Sequence, residues 1–207
     1  MYYEDGNHGL QHDPFKAIIT PRPIGWISTV DANGVPNLAP YSFFNAMGSR
    51  PYFLAFASEQ IKDSARNAQQ TGEFVFSLCT AELADAMNLS CANLPPEVNE
   101  FEHAGLEEGI CKRVKAPRVL ASPASFECKT VMSQLLPDVD GKETANFMVI
   151  GQVVATHIDD RYIKDGRFDT ALAQPLARCG YRDYSTVTEL FELMRPGEAE
   201  NGGKFKV

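Results

Sequence analysis

No apolar run in this 207-residue chain is long enough to span a bilayer as a helix, which takes about 20 residues. The first ten residues, MYYEDGNHGL, carry acidic side chains and no apolar segment of the secretory kind. These two absences lead us to expect a cytoplasmic protein. Cysteine is not arranged for cross-linking or metal: Cys79, Cys91, Cys111, Cys128 and Cys179 are odd in number, form no C-x-x-C and match no zinc spacing. Cys79 and Cys128 sit in strand-like runs and read as small buried hydrophobes. The four histidines, His8, His12, His103 and His157, are scattered and make no metal box. No G-x-G-x-x-G follows a strand, so a dedicated dinucleotide domain is not expected. Positive charge is in deficit, with 19 Lys and Arg against 27 Asp and Glu and a formal charge of −8. That balance argues against nucleic acid and anionic membranes as main partners. An anionic ligand must therefore be met by local cations or backbone N–H groups. No repeat, low-complexity tract or composition shift divides the chain, so one domain over residues 1–207 is expected, with loose arms at 1–13 and 195–207.

The chain is organised around residues 21–45, PRPIGWISTVDANGVPNLAPYSFFN. Two apolar runs flank Asp31-Ala32-Asn33-Gly34, and Asn-Gly between such runs predicts a β-hairpin, because both residues tolerate positive φ. Its first strand carries Trp26, Ile27, Ser28 and Thr29, and a loop beyond its second strand carries Ser42, Phe43, Phe44 and Asn45. Hydroxyls, amides and a large ring close together suit a flat aromatic ligand with a polar edge. Read alone, Ser28 and Thr29 are ordinary strand hydroxyls bonded to neighbouring backbone, and Trp26 is an ordinary core ring. The prolines on either side of Arg22 hold it stiffly, for a surface ion pair or for contact with a ligand or second subunit.

Residues 15–20 (FKAIIT) read as a first strand, and residues 51–57 (PYFLAFA) as another ending in a turn at 58–60. Residues 62–70 (KDSARNAQQ) read as a short helix capped by Asp63 or Ser64 and closed by Gly72. Residues 73–78 return to strand, and 80–88 form a second helix capped by Thr80. Residues 90–105, with Pro95-Pro96, make a loop with a short helical turn, either a lid or an irregular surface connection. Residues 124–136 and 144–158 are two long strands about a turn at 137–141, a meander able to close a barrel. A charged connection follows at 159–169, Tyr181 and Tyr184 lie in a late loop, and 186–194 has an amphipathic look. The whole is mainly β with two or three short helices.

The block PRPIGWISTVDANGVPNLAPYSFFN, with KDSARNAQQTGEFVFSL at 62–78, GQVVATHI at 151–158 and PLARCGYRDY at 175–184, resembles the flavin reductase-like family of FMN-binding split barrels. The similarity is to the branch containing flavoredoxin-type and nitrilotriacetate-monooxygenase-component-type proteins, and it runs from about residue 14 to about residue 184. It implies an antiparallel Greek-key split barrel, FMN as cofactor, NAD(P)H as electron donor, a homodimer, and an oxygenase or other acceptor downstream. It places the isoalloxazine against Trp26–Thr29 and against Ser42, Phe43 and Asn45. A helix N-terminus attracts anions, so Ser58, Lys62, Asp63, Ser64 and Asn67 are expected at the FMN phosphate. Hydride transfer at the ring needs no protein acid or base, so no catalytic side chain is assigned beyond His157 as a supporting residue. Arg178 and Tyr184 are expected to shape the opening. A flavoredoxin-type electron carrier and a non-redox barrel binding another flat ligand stay open as alternatives.

Overall fold

The computed structural model describes residues 1–4, 6–194 and 196. The arm expected at 195–207 lies outside them except for residue 196. Seven antiparallel strands form the main sheet: β2 (Gly25–Val30), β3 (Pro36–Tyr41), β4 (Phe44–Ser49), β5 (Tyr52–Glu59), β6 (Glu73–Leu78), β9 (Ala124–Pro137) and β10 (Glu143–Ile158), in the order β3-β2-β6-β9-β10-β5-β4. A three-stranded sheet joins β1 (Arg22–Pro23), β13 (Leu176–Gly180) and β14 (Asp183–Thr186). Two small ribbons pair β7 (Glu108–Gly109) with β8 (Arg118–Val119) and β11 (Ile163–Lys164) with β12 (Arg167–Phe168). The helices are α1 (Phe15–Ile18), α2 (Asp63–Thr71), α3 (Ala84–Leu89), α4 (Glu100–His103) and α5 (Thr170–Ala173). No helix among the described residues is long and apolar enough to cross a membrane.

The predicted hairpin is β2–β3. Asp31 Oδ1 accepts from the Asn33 and Val35 N–H groups, both at 2.8 Å, and Gly34 turns the chain at φ +87°. β6 lies between β2 and β9 rather than beside β5, so the connection through α2 crosses the barrel end and gives the Greek-key order. The sheet curls but its terminal strands, β3 and β4, do not pair with each other. Aromatic rings bridge that split. Phe44 of β4 stacks on Phe76 of β6 at 4.9 Å between centroids, Phe76 stacks on Phe126 at 5.6 Å, and Tyr41 meets Phe56 at 4.8 Å. The Phe44 ring lies directly on Gly25, where a Cβ would come within 2.4 Å of it.

β2 is buried along its whole length because it separates two cores. Alternate side chains face opposite ways. Ile27 points into the barrel with Phe56, Phe74, Val149 and the Ala65 and Ala68 face of α2. Trp26 points the other way, into a cluster with Leu38, Met87 of α3, Phe101 of α4 and Val119. Two buried carboxylates pin the segment after β7: Glu127 accepts from the backbone N–H groups of Lys112, Arg113 and Val114, and Glu73 from that of Lys115.

Several local expectations are corrected. Residues 15–20 do not form a strand: Asp13 Oδ1 accepts from Phe15 N–H at 2.9 Å and starts the single turn α1, with Ile18 and Ile19 left exposed. Phe44 and Asn45 belong to strand β4, and Tyr184 to strand β14, where loops were expected. Neither Asp63 nor Ser64 caps α2; Lys62 holds the N-cap position and makes no side-chain capping bond. Thr80 likewise caps nothing. Among the described residues five short α-helices replace the two or three helices expected, since Asn99 and Asp169 cap single turns through their side chains.

Candidate functional site

The four β2 residues selected from sequence do not share a surface. Trp26 is fully buried and donates from Nε1 to Ser90 Oγ at 3.0 Å. Ser28 donates to the Pro117 carbonyl, whereas Thr29, on the opposite face, accepts from Asn37 Nδ2 at 3.3 Å and Asn67 Nδ2 at 3.2 Å. Ile27 is core. From Gly25 to Ser28 the backbone pairs with β3 on one side and β6 on the other, so these groups are engaged within the sheet.

The free edge is on β3. Leu38 N–H leaves the ladder and donates to Glu100 Oε2 at 3.0 Å. Antiparallel strands alternate inward- and outward-directed backbone groups, so Pro36 and Pro40 share the outward direction of Leu38. Proline has no N–H. This edge therefore presents carbonyl acceptors with its one N–H already used. Along it runs a cleft of about 400 Å³, between the start of α2 (Lys62, Asp63, Ser64) and the segment from Ser90 to Leu94, with Glu100 on its wall. Burial holds the Glu100 carboxyl above the usual carboxylate range, against the N–H bond from Leu38.

At one end of this cleft the first turn of α2 opens without a side-chain cap. Asp63 turns away to pair with Arg66, and Ser64 Oγ accepts from Asn37 Nδ2 at 2.8 Å. Ser58 is 2 % exposed and its Oγ has no partner. Tyr41, whose pKa is raised mainly by burial, has its hydroxyl beside the Ser64 and Ser58 side chains. At the other end, Pro40 and Cys91 also line a second cleft of about 250 Å³, walled by Lys16, Arg22, Ser42, Arg178 and Tyr184. The two clefts are thus neighbours along β3.

The structure therefore brings Lys62, Asp63, Ser64 and Ser42 to cleft walls and leaves others off them. Phe43 has Lys16 Nζ 5.3 Å from its ring centre, and its carbonyl accepts from Ala57 N–H at 2.8 Å. Asn45 is exposed on β4, its Oδ1 accepting from Ala46 N–H. Asn67 is buried under Thr29. His157, near the end of β10, has an unpartnered buried Nδ1 and a pKa lowered by burial and by Arg118, and it lines neither cleft. Sequence reasoning passed over Asn37, Pro40 and Tyr41, which stand in the hairpin block itself, and Cys91 and Glu100, which no motif marks.

The curled antiparallel sheet thus carries an uncapped helix start and two neighbouring clefts along one free edge. The flavin reductase like domain matches residues 18–173, so the chain belongs to the flavin reductase-like family, with the split-barrel fold its sequence resembles. A protein of Halalkalibacterium halodurans described only as uncharacterized is 34% identical over 188 residues, covering 88% of this chain and 90% of its own. The crystal structure of nitrilotriacetate monooxygenase component B from Bacillus cereus superposes with a TM-score of 0.84 at 29% identity, covering 93% of this chain and 98% of that one. Flavoredoxin of Desulfovibrio vulgaris (Miyazaki F) superposes at 0.75 with 19% identity over 97% of this chain and all of its own, a likeness of fold.

Proposed function

We propose that this protein is an FMN-binding, NAD(P)H-dependent flavin reductase that delivers electrons to an acceptor or a partner monooxygenase. The observation that carries this reading is the uncapped N-terminus of α2, with Lys62 at its N-cap position, opening onto the β3 cleft. The residues fit the cofactor. Unpaired N–H groups of a first helical turn and one ammonium suit a phosphate. The Asp63–Arg66 pair keeps the nearest carboxylate occupied. Outward carbonyls on β3 suit the single N–H of the isoalloxazine's polar edge, and the cleft of about 400 Å³ along them accommodates the cofactor, bordering the second cleft only at Pro40 and Cys91. Bound FMN supplies the hydride-accepting ring atom, so the protein's task is to hold the ring and leave one face open. Ser64, Asn37 and Thr29 form one hydrogen-bonded chain that fixes the helix start against β3. The monooxygenase partner is suggested by the neighbour's being a monooxygenase component. A homodimer is supported by the exposed apolar side chains of Ile18, Ile19, Met47 and Tyr52.

The test is an anaerobic absorbance spectrum of the FMN-loaded protein, with NADH and then NADPH added. Bleaching by one of them within a turnover establishes the reductase and its donor. A yellow protein that stays oxidised with both and bleaches with dithionite refutes the NAD(P)H step in favour of a flavoredoxin-type carrier. Failure to take up FMN refutes the site.

A further inference from the structure

The second cleft is an electrostatic exception in an acidic chain. Arg22 and Arg178 are direct cross-strand partners in the β1–β13 register, and like charges placed so repel. Among the described residues neither is in an ion pair. Arg22 is only 6% exposed, and its Nη1 is spent on the Lys16 and Ile19 carbonyls while its buried Nε has no partner. Arg178 is held in place by the Tyr181 carbonyl and the Tyr184 hydroxyl, with its guanidinium 4.5 Å from the Tyr184 ring centre. Lys16 adds a third cation, shared with Glu59 at 3.3 Å, and among the described residues no carboxylate lines the cleft. A buried guanidinium costs free energy unless it is paired and fully hydrogen-bonded. Two stiffened guanidiniums facing one cavity match the planar, two-oxygen geometry of a carboxylate or phosphate.

We propose that the Arg22–Arg178–Lys16 cleft is an anion subsite that holds the phosphate or carboxylate of the molecule exchanging electrons with the flavin. This rests on the flavin reading above: with the FMN phosphate at the start of α2, the ring lies toward Pro40 and Cys91, at the border of this cleft. The anion then anchors the visiting molecule from the side while leaving the ring face to its reactive part. Such an anion has two sources, the phosphates of a nicotinamide dinucleotide or the carboxylate of a small aromatic acceptor.

Calorimetric titration at low salt with inorganic pyrophosphate, and separately with benzoate, tests this on the FMN-loaded protein and on the apoprotein. At least one anion is expected to bind one to one, and Arg178→Gln to weaken it tenfold or more with FMN affinity changed less than twofold. Lys16→Gln, on an exposed side chain, gives a second variant with a smaller loss in the same direction. Binding of pyrophosphate alone supports the dinucleotide source, and of benzoate alone the carboxylate source. No binding of either, or equal affinity in the Arg178→Gln variant, overturns the proposal. A tenfold loss of FMN affinity in that variant also overturns it, because the anion held there would then be the cofactor's own phosphate. A wild-type protein that binds the anion and never FMN overturns the flavin reading and the substrate role together.

Discussion

Gly25→Ala is a one-carbon test of how the barrel is held shut. The added Cβ would sit 2.4 Å from two atoms of the Phe44 ring and 2.9 Å from its Cβ. The ring cannot swing aside cheaply, because it stacks on Phe76 at an interplanar angle of 11° and Phe76 in turn stacks on Phe126. Overpacking of this kind costs about 1–3 kcal/mol. Loss of the Phe44–Phe76 stack adds about 0.5–1.5 kcal/mol beyond lost area. A total near 3 kcal/mol lowers the thermal midpoint by roughly 6–12 °C in a chain of this size. Urea denaturation followed by Trp26 fluorescence reads it as a fall in midpoint at unchanged slope. Phe44→Leu alone destabilises, but in the Gly25→Ala background it relieves the clash, so the double variant should cost less than the sum. A Gly25→Ala loss below about 0.5 kcal/mol, the range of inert surface changes, would refute the idea that Phe44 closes the split by lying on β2.

Other expectations are sharper at the site and the surface. Lys62→Ala should weaken FMN binding by about 12–160-fold, the worth of one charge-assisted contact of about 1.5–3 kcal/mol, with the denaturation midpoint unmoved; fluorescence quenching of FMN checks it. Thr29→Val should cost about 1–3 kcal/mol by stranding the Asn37 and Asn67 amides, and its effect on flavin should come only through Asn37. Alkylation at pH 8 followed by mass spectrometry should mark Cys179 before Cys79: hydrogen bonding with the Ser185 and Thr20 side chains holds the first thiol down, and burial pushes the second up to about 12. Asp159 accepts from the Arg161 side chain and backbone, which hold its pKa at about 2. Its folded pKa is depressed, so its contribution is present above the ordinary value near 3.8 and fades as pH falls toward 2. A carboxyl NMR titration should find that midpoint, and Arg161→Gln should raise it.

The β content, the hairpin and the long β9–β10 meander were legible because period-two patterns and Asn-Gly are local signals. Residues 15–20 misled because β-branched residues favour strands only where a sheet receives them, and here Asp13 and Pro14 start a helical turn instead. The site was half legible. The start of α2 announced itself by composition, yet Ser28 and Thr29, adjacent in sequence, point to opposite cores and cannot serve one ligand face. The Arg22–Arg178 register joins residues 156 apart, a distance no window of sequence spans.

The prolines of β3 have a consequence away from any ligand. A cleft along an edge strand is also a socket for a stray strand from another molecule, which would add itself through paired N–H and C=O groups. Pro36 and Pro40 remove the donors on either side of Leu38, and Glu100 covers the donor between them. The empty protein can thus keep its binding edge open to solvent without becoming a seed for sheet growth, and Glu100 is the shield whose loss should be seen first as aggregation.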